Sequence, residues 1–190
     1  MFYLTRPVLL AALALTCQGG WAQKGETVRI AHIDPFSGPF ANVGQNQLKS
    51  WQFIAERMAG DKNPAGVKFE IVGFDNKASP QESLNALKAA IDQGFRYVTQ
   101  GNGSGAALAI SDAVSKHNER NPNQRILFIN CGALAPELTN EQCSFWHFRF
   151  SMHAGQQAEI VVRSMPKSVK SIYLINQDYI FGQSAQRDMK

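Results

Sequence analysis

The sequence is short of charge. Asp, Glu, Lys and Arg make up 18% of its 190 residues, and 19 basic against 15 acidic side chains leave a formal net charge of +4. No run of Lys or Arg exceeds two, so the basic footprint of a nucleic-acid-binding surface is missing. Cysteine is scarce, with three in the chain, and none has a second Cys or His beside it at metal-ligand spacing. The apolar run from Val8 to Leu15 is too short to cross a hydrocarbon core of about 30 Å. Internal repeats and low-complexity tracts are absent. What is there is 44% hydrophobic, an ordinary share for a globular chain of one or at most two domains, which excludes disordered, collagen-like and coiled-coil classes.

Residues 1–22 have the pattern of a secretory signal peptide. One basic residue, Arg6, precedes the apolar run, and small residues at Gly20 and Ala22 place the cut between Ala22 and Gln23. A lipid attachment at Cys17 would want a small residue where Leu15 stands. Export predicts a periplasmic location and changes how the cysteines read. With Cys17 removed, Cys131 and Cys143 remain as an even pair in an oxidising compartment, so a disulfide between them is expected, contributing on the order of 3 kcal/mol; two free thiols are the alternative.

The rest of the chain alternates short β-rich runs with amphipathic helical patterns. Strands are predicted over 27–33, 67–74, 96–99, 125–129, 145–148 and 171–175. Helices are predicted over 42–59, 79–93, 104–118 and 153–164, and from Gln183 onward. In the first helix Leu48, Trp51, Ile54, Ala55 and Met58 follow the three-and-four spacing of one buried face, and Ser79 with Pro80 marks a helix start. Continuous apolar strands such as Ile126-Leu127-Phe128-Ile129 argue for an α/β fold with a parallel sheet covered by helices on both faces. In such folds ligands sit in the loops at the carboxyl ends of the strands. The connection from Asn130 to Ser144 is long for a compact domain, and the helical pattern still runs at Lys190, which reads as a piece of a longer chain.

Two of those loops carry candidate residues. Asp34-Pro35-Phe36-Ser37-Gly38-Pro39-Phe40 offers a hydroxyl and two aromatic rings, with an ordinary strand-to-helix turn as the plain alternative. Gln100-Gly101-Asn102-Gly103-Ser104-Gly105 lets a backbone approach a ligand closely. Ser104 stands at a helix start, where free N–H groups suit a carboxylate. Gly101-x-Gly103-x-x-Ala106 has the spacing of a dinucleotide fingerprint, but it lies on the third unit and no acidic residue ends the next strand, so no cofactor is expected. Enzymatic arrangements do not stand out. Ser104 lacks the G-x-S-x-G elbow, and His117 and His147 read equally well as surface and core residues. Asp34, Asp75 and Glu137 could in principle form an acid/base group, although single carboxylates at strand ends are more often caps or ion-pair partners.

Several segments, taken in order, resemble the solute-binding proteins of ABC transporters of the branched-chain amino-acid (leucine/isoleucine/valine-binding) group, with the type I periplasmic binding fold. They are Ser37-Gly38-Pro39, Asp75 followed by Pro80, Gly94-Phe95-Arg96-Tyr97-Val98, Ala135-Pro136-Glu137-Leu138-Thr139, Phe148-Arg149-Phe150 and Asp178-Tyr179-Ile180-Phe181-Gly182. The resemblance runs from about Thr27 to Lys190. It implies a non-enzymatic, two-lobed protein of about twice this length that closes on a small ligand and delivers it to membrane permease subunits. Residues 23–150 would form the first lobe and residues 151–190 the start of the second. By position in the family pattern, Ser104 takes the place of a ligand-holding serine, with Asn102 and Gly103 before it. Gly132, Ala133 and Leu134 form the next set, and Phe181 stands at an aromatic position. Ser37 and Phe40 of the first loop complete the candidates. Leu134 departs from the pattern, because the amino-acid binders carry Thr there to help hold the ligand's charged end. Burying an ammonium without partners costs several kcal/mol, so an aromatic or other non-amino-acid carboxylate is the competing ligand. A ligand-sensing receptor domain and a secreted α/β hydrolase are the competing classes.

Overall fold

The computed structural model describes residues 25–189. The signal-peptide expectation for residues 1–22 therefore lies outside the described residues. Five parallel strands form one sheet: β1 (Thr27–Asp34), β2 (Lys68–Asp75), β3 (Tyr97–Gln100), β4 (Leu127–Asn130) and β5 (His147–Arg149), in the order β2-β1-β3-β4-β5. Helices α1 (Ala41–Arg57), α2 (Pro80–Asp92) and α3 (Ser104–Arg120) make the connections, followed by α4 (Ala154–Ser164) and α5 (Ile180–Asp188).

The carboxyl-terminal halves of β1 and β3 are buried on both faces and β4 is at least half-buried throughout, which accounts for their continuous apolar character. On one face Ala31, Ile33, Val98 and Phe128 meet Leu87, Ala90, Ile110 and Val114 of α2 and α3 in the main core. On the other, α1 lays Trp51, Ile54, Ala55 and Met58 over Ile30, Phe69 and Ile71. The alternation of Ile30, Ala31, His32 and Ile33 between the two faces is the period of two that a strand imposes. The expected α/β architecture, a parallel sheet with helices on both faces, is what forms.

Helix starts follow their local chemistry. The Ser79 hydroxyl caps α2 by accepting the Glu82 N–H, with Pro80 where a missing N–H costs nothing. The His153 ring and the Gln156 side chain make a reciprocal capping box on α4. Gly103, at φ +87°, turns the chain from β3 into α3.

One expected strand does not form. Residues 171–175 have no regular structure and pair with no strand among the described residues, leaving Tyr173 and Ile175 almost fully exposed. A strand needs a hydrogen-bonded neighbour, and periodicity alone does not supply one. The fifth strand also starts later than expected, at His147, with Phe145 outside it and exposed.

Asn118 fastens α3 to the sheet. Its buried amide donates to the Ile126 carbonyl and accepts the Ile126 N–H, both at 2.8 Å. Asn118→Ala leaves both backbone groups buried without partners and is expected to cost about 3 kcal/mol. Urea unfolding checks this: the midpoint falls while the slope is unchanged.

Candidate functional site

All five strands end in polar residues, and the side chains of four of them, Asp34, Asp75, Gln100 and Asn130, order the nearby loops. Asp34 is completely buried. One of its oxygens, Oδ1, accepts the N–H groups of Asn102 at 2.9 Å and Gly101 at 3.3 Å, and Oδ2 accepts the Asn102 side-chain amide at 2.9 Å. His32 lies beside it, also fully buried. Its Nδ1 is 2.7 Å from the Thr99 hydroxyl, and its Nε2 is 3.3 Å from Asp34 Oδ2 without hydrogen-bond alignment. Gln100 donates to the carbonyl oxygens of Asn102 and Gly103 from inside the same loop. On the neighbouring strand Asn130 has the corresponding role, accepting the Gly132 and Ala133 N–H groups at 3.0 and 2.7 Å and donating to the Ala133 carbonyl.

Asp75 accepts the Phe36 and Lys77 N–H groups, each at 2.9 Å. Burial acts to raise its pKa, but bonds from the Ser37 hydroxyl and the N–H groups of Phe36, Lys77 and Ser37 outweigh it and hold the carboxyl below its ordinary value. Glu137 is spoken for as well. It accepts from the Ser184 hydroxyl at 3.1 and 3.2 Å and pairs with Arg187 at 3.1 Å; burial acts to raise its pKa, but its own backbone N–H, Arg187 and Ser184 together outweigh that and lower it. The three carboxylates do not converge into an acid/base group. Each is an anchor for a different piece of backbone or helix.

The loops enclose a cleft of about 460 Å³ at the start of α3, lined by Phe40, Ala78, Pro80, Asn102, Gly103, Gly105, Ala106, Tyr179 and Ile180. Of the sequence candidates, Phe40, Asn102 and Gly103 line it. Ser104 sits behind them, 1% exposed, and its Oγ accepts the Ala135 N–H at 3.2 Å, joining the third loop to the fourth. Gly132 packs against the Gly101 carbonyl so closely that a side chain would not fit. Ala133 is buried, and the Leu134 carbonyl accepts the Ala154 N–H that opens α4. Ser37 is turned to Asp75. Phe181 is not among the lining residues; its ring packs tilted, 6.0 Å between centroids, against Tyr179, which is.

Sequence reasoning missed Ala78, Pro80, Gly105, Ala106, Tyr179 and Ile180 as cleft walls. Tyr179 and Ile180 adjoin Phe181 in the Asp178–Gly182 segment, and the helical register decides which of the three faces the cleft. Among the described residues no group of three or more His, Cys, Asp or Glu is placed to hold a metal, and no helix is long and apolar enough to cross a membrane.

The expected Cys131–Cys143 disulfide is not formed: both are free thiols. Their positions explain why. Cys131 follows β4 on the α1 side of the sheet, 3.4 Å from the Gln100 carbonyl and lining a groove with Gln47 and Trp51. Cys143 lies against α3, beside Leu108, Ser111 and Ser115. Burial, with the Asp34 charge beside it, pushes the Cys131 pKa up to about 11.

A parallel α/β unit with a small-molecule cleft across its strand ends is the architecture of a ligand-binding lobe. The sequence profile of the periplasmic binding protein family matches residues 27–190, and the chain belongs to that family. Leu/Ile/Val-binding protein homolog 4 of Brucella abortus (strain 2308) is 35% identical over 178 residues, covering 91% of this chain and 42% of that protein. The closed crystal structure of a leucine-, isoleucine-, valine-, threonine- and alanine-binding protein from Brucella ovis superposes with a TM-score of 0.71 at 32% identity, covering 87% of this chain and 43% of that one. A solute-binding protein of an ABC transporter from R. palustris, in complex with 4-hydroxybenzoate, shares the fold at TM-score 0.68 and 22% identity, over 86% and 42% of the two chains. These relatives are solute-binding proteins, not enzymes, and this chain spans less than half of their length.

Asp34→Asn keeps the shape but turns an NH₂ group toward donors that need an acceptor. It is expected to destabilise the protein by about 2 kcal/mol and to speed hydrogen exchange at Gly101 and Asn102 specifically. The cysteines give an independent check. At pH 8 Cys143 is expected to react with a maleimide quickly and Cys131 slowly, and a disulfide would block both.

Proposed function

We propose that this chain belongs to the extracytoplasmic, periplasmic solute-binding component of an ABC importer, which captures a small carboxylate-bearing ligand between two lobes and delivers it to membrane permease subunits. The observation that carries the reading is the start of α3, directly behind the cleft wall formed by Asn102 and Gly103. The Ser104 oxygen already accepts the Ala135 N–H, so its hydrogen is left to donate. Beside it the first-turn N–H groups of α3 have no intrahelical partner and carry the positive end of the helix dipole. The Asn102 side-chain NH₂ is engaged by Asp34. An anionic group fits there. In this role Ser104 and Gly103 hold the carboxylate end, Asn102, turned to Asp34, fixes the loop before them, Phe40 walls the cleft, Gly132, Ala133 and Leu134 shape the adjacent loop, Ser37 braces the first loop, and Phe181 supports Tyr179.

A branched-chain amino acid is the ligand suggested by the names of the Brucella relatives. A second reading, an aromatic or other non-amino-acid carboxylate, is favoured by the cleft walls. Phe40, Ala78, Pro80, Ala106, Tyr179 and Ile180 are apolar or aromatic, and Leu134 offers no hydroxyl for an ammonium. Fold-sharing proteins in complex with 4-hydroxybenzoate and 3,4-dihydroxybenzoic acid accord with that reading.

Calorimetric titration with leucine, isoleucine, valine and 4-hydroxybenzoate separates the two. Heat with an amino acid alone removes the aromatic reading, and heat with 4-hydroxybenzoate alone removes the amino-acid one. Ser104→Ala is expected to weaken the ligand that binds by about 1–3 kcal/mol. An unchanged affinity would take the carboxylate away from Ser104.

A further inference from the structure

A second, smaller cavity of about 300 Å³ lies away from the cleft, between α3 and the loop before β5. It is lined by Leu108, Ser111, Asp112, Ser115, Gln142, Cys143 and Ser144. Two independent features meet in it. One is the free, exposed thiol of Cys143. The other is the Ser111 hydroxyl, on a residue only 3% exposed and with no hydrogen-bond partner among the described residues. Helical serines normally satisfy themselves by donating to the carbonyl four residues back, as Ser50, Ser83, Ser115 and Ser184 do here at 2.8–3.0 Å. Ser111 does not, so a buried polar group in the cavity wall is left without a protein partner, a condition that native structures rarely tolerate. Around it the Ser115 and Ser144 hydroxyls bond each other at 2.7 Å. Asp112 Oδ2 accepts from the Lys116 ammonium at 2.6 Å, and Oδ1 has no partner among the described residues.

We infer that this cavity is a site of S-thiolation, in which Cys143 takes up the half-disulfide of a small amino-acid thiol such as cysteine. The Cys143 thiolate attacks one sulfur of a low-molecular-weight disulfide. The Cys143–S bond forms as the disulfide's own S–S bond breaks, and the departing half leaves as a thiolate that takes up a proton. Cys143 is oxidised and the departing half is reduced, so no further oxidant is consumed. The cavity supplies selectivity: the Ser111 hydroxyl and the Gln142 amide meet the carboxylate of the attached half, and Asp112 meets its ammonium. Cys131 does not compete, because it lies on the other side of the sheet and burial keeps it a thiol. Only the oxidising surroundings come from the transport reading; the exchange is independent of any ligand in the cleft.

The test is the rate at which Cys143 acquires an adduct, followed by intact mass and peptide mapping, with L-cystine and with the uncharged hydroxyethyl disulfide. The ratio of the two rates is compared with the same ratio for the protein unfolded in urea, which removes the intrinsic difference between the reagents. The folded protein is expected to favour cystine by about fivefold beyond the unfolded one, the worth of one hydrogen bond. Ser111→Ala and Asp112→Asn should each bring the ratio back toward the unfolded value while leaving the hydroxyethyl rate unchanged. A ratio that folding does not alter, or that Ser111→Ala leaves intact, overturns the inference. So does recovery of Cys143 bridged to Cys131 or to a second copy of the chain.

Discussion

The arrangement of the cleft depends on one buried carboxylate. An ionised group out of contact with water costs several kcal/mol unless its lone pairs are filled, and Asp34 fills them from the loop that begins α3: two backbone N–H groups and one side-chain amide, all from Gly101 and Asn102. The dependence runs both ways. The loop gives the charge its partners, and the charge gives a glycine-rich segment, intrinsically free to wander, a single conformation. His32 and Thr99 close the far side of the group. Burial, with this same negative charge adding to it, also raises the pKa of the Cys131 thiol.

Asp34 is one case of a wider arrangement. The sheet is parallel, so its strands end on one edge, and each exhausts its own ladder there while the loop beyond still needs bonds. Asp34, Asp75 and Asn130 meet that need with acceptors for loop N–H groups, and Gln100 with donors for loop carbonyls. Acid or amide is matched to what the loop presents. Three successive donors at 101–102 call for a carboxylate, whereas the Asn130 loop offers both N–H groups and a carbonyl and is served by an amide that accepts and donates at once. A cleft walled by such loops is set before a ligand arrives, which lowers the ordering cost of binding.

Much of this architecture was legible in the sequence because it rests on local signals. The three-and-four spacing on Leu48, Trp51 and Ile54, the Ser79-Pro80 start and the apolar run ending at Ile129 each identify an element without knowledge of its neighbours, and boundaries moved by only a residue or two. Residues 171–175 show where that logic stops, since Ser-Ile-Tyr-Leu-Ile has strand composition and no strand beside it among the described residues. The thiols fail for a related reason: an even count and a short loop say nothing about which face of a sheet each residue takes, and Cys131 and Cys143 take opposite sides. Asp34 and Asp75 were visible as strand-end carboxylates, but their roles were not, because the groups they hold lie 67 and 39 residues away along the chain.

The bond from Ala135 N–H to Ser104 Oγ gives these separate anchors a common consequence. It ties the loop fixed by Asp34 to the loop fixed by Asn130, and the segment that follows carries Glu137, whose carboxylate holds Ser184 and Arg187 of α5. The residues opening that helix, Tyr179 and Ile180, are the far wall of the cleft. A set of hydrogen bonds and one ion pair therefore runs from the loop below the cleft to its opposite wall, passing through Ser104. A group that takes the Ser104 hydrogen pulls on an oxygen already committed to Ala135, and polarising the hydroxyl strengthens that oxygen as an acceptor. On the proposed carboxylate-binding reading, occupancy of a site at Ser104 and seating of the Ala135–Leu138 segment favour each other, and the far wall would be held most firmly with the cleft filled.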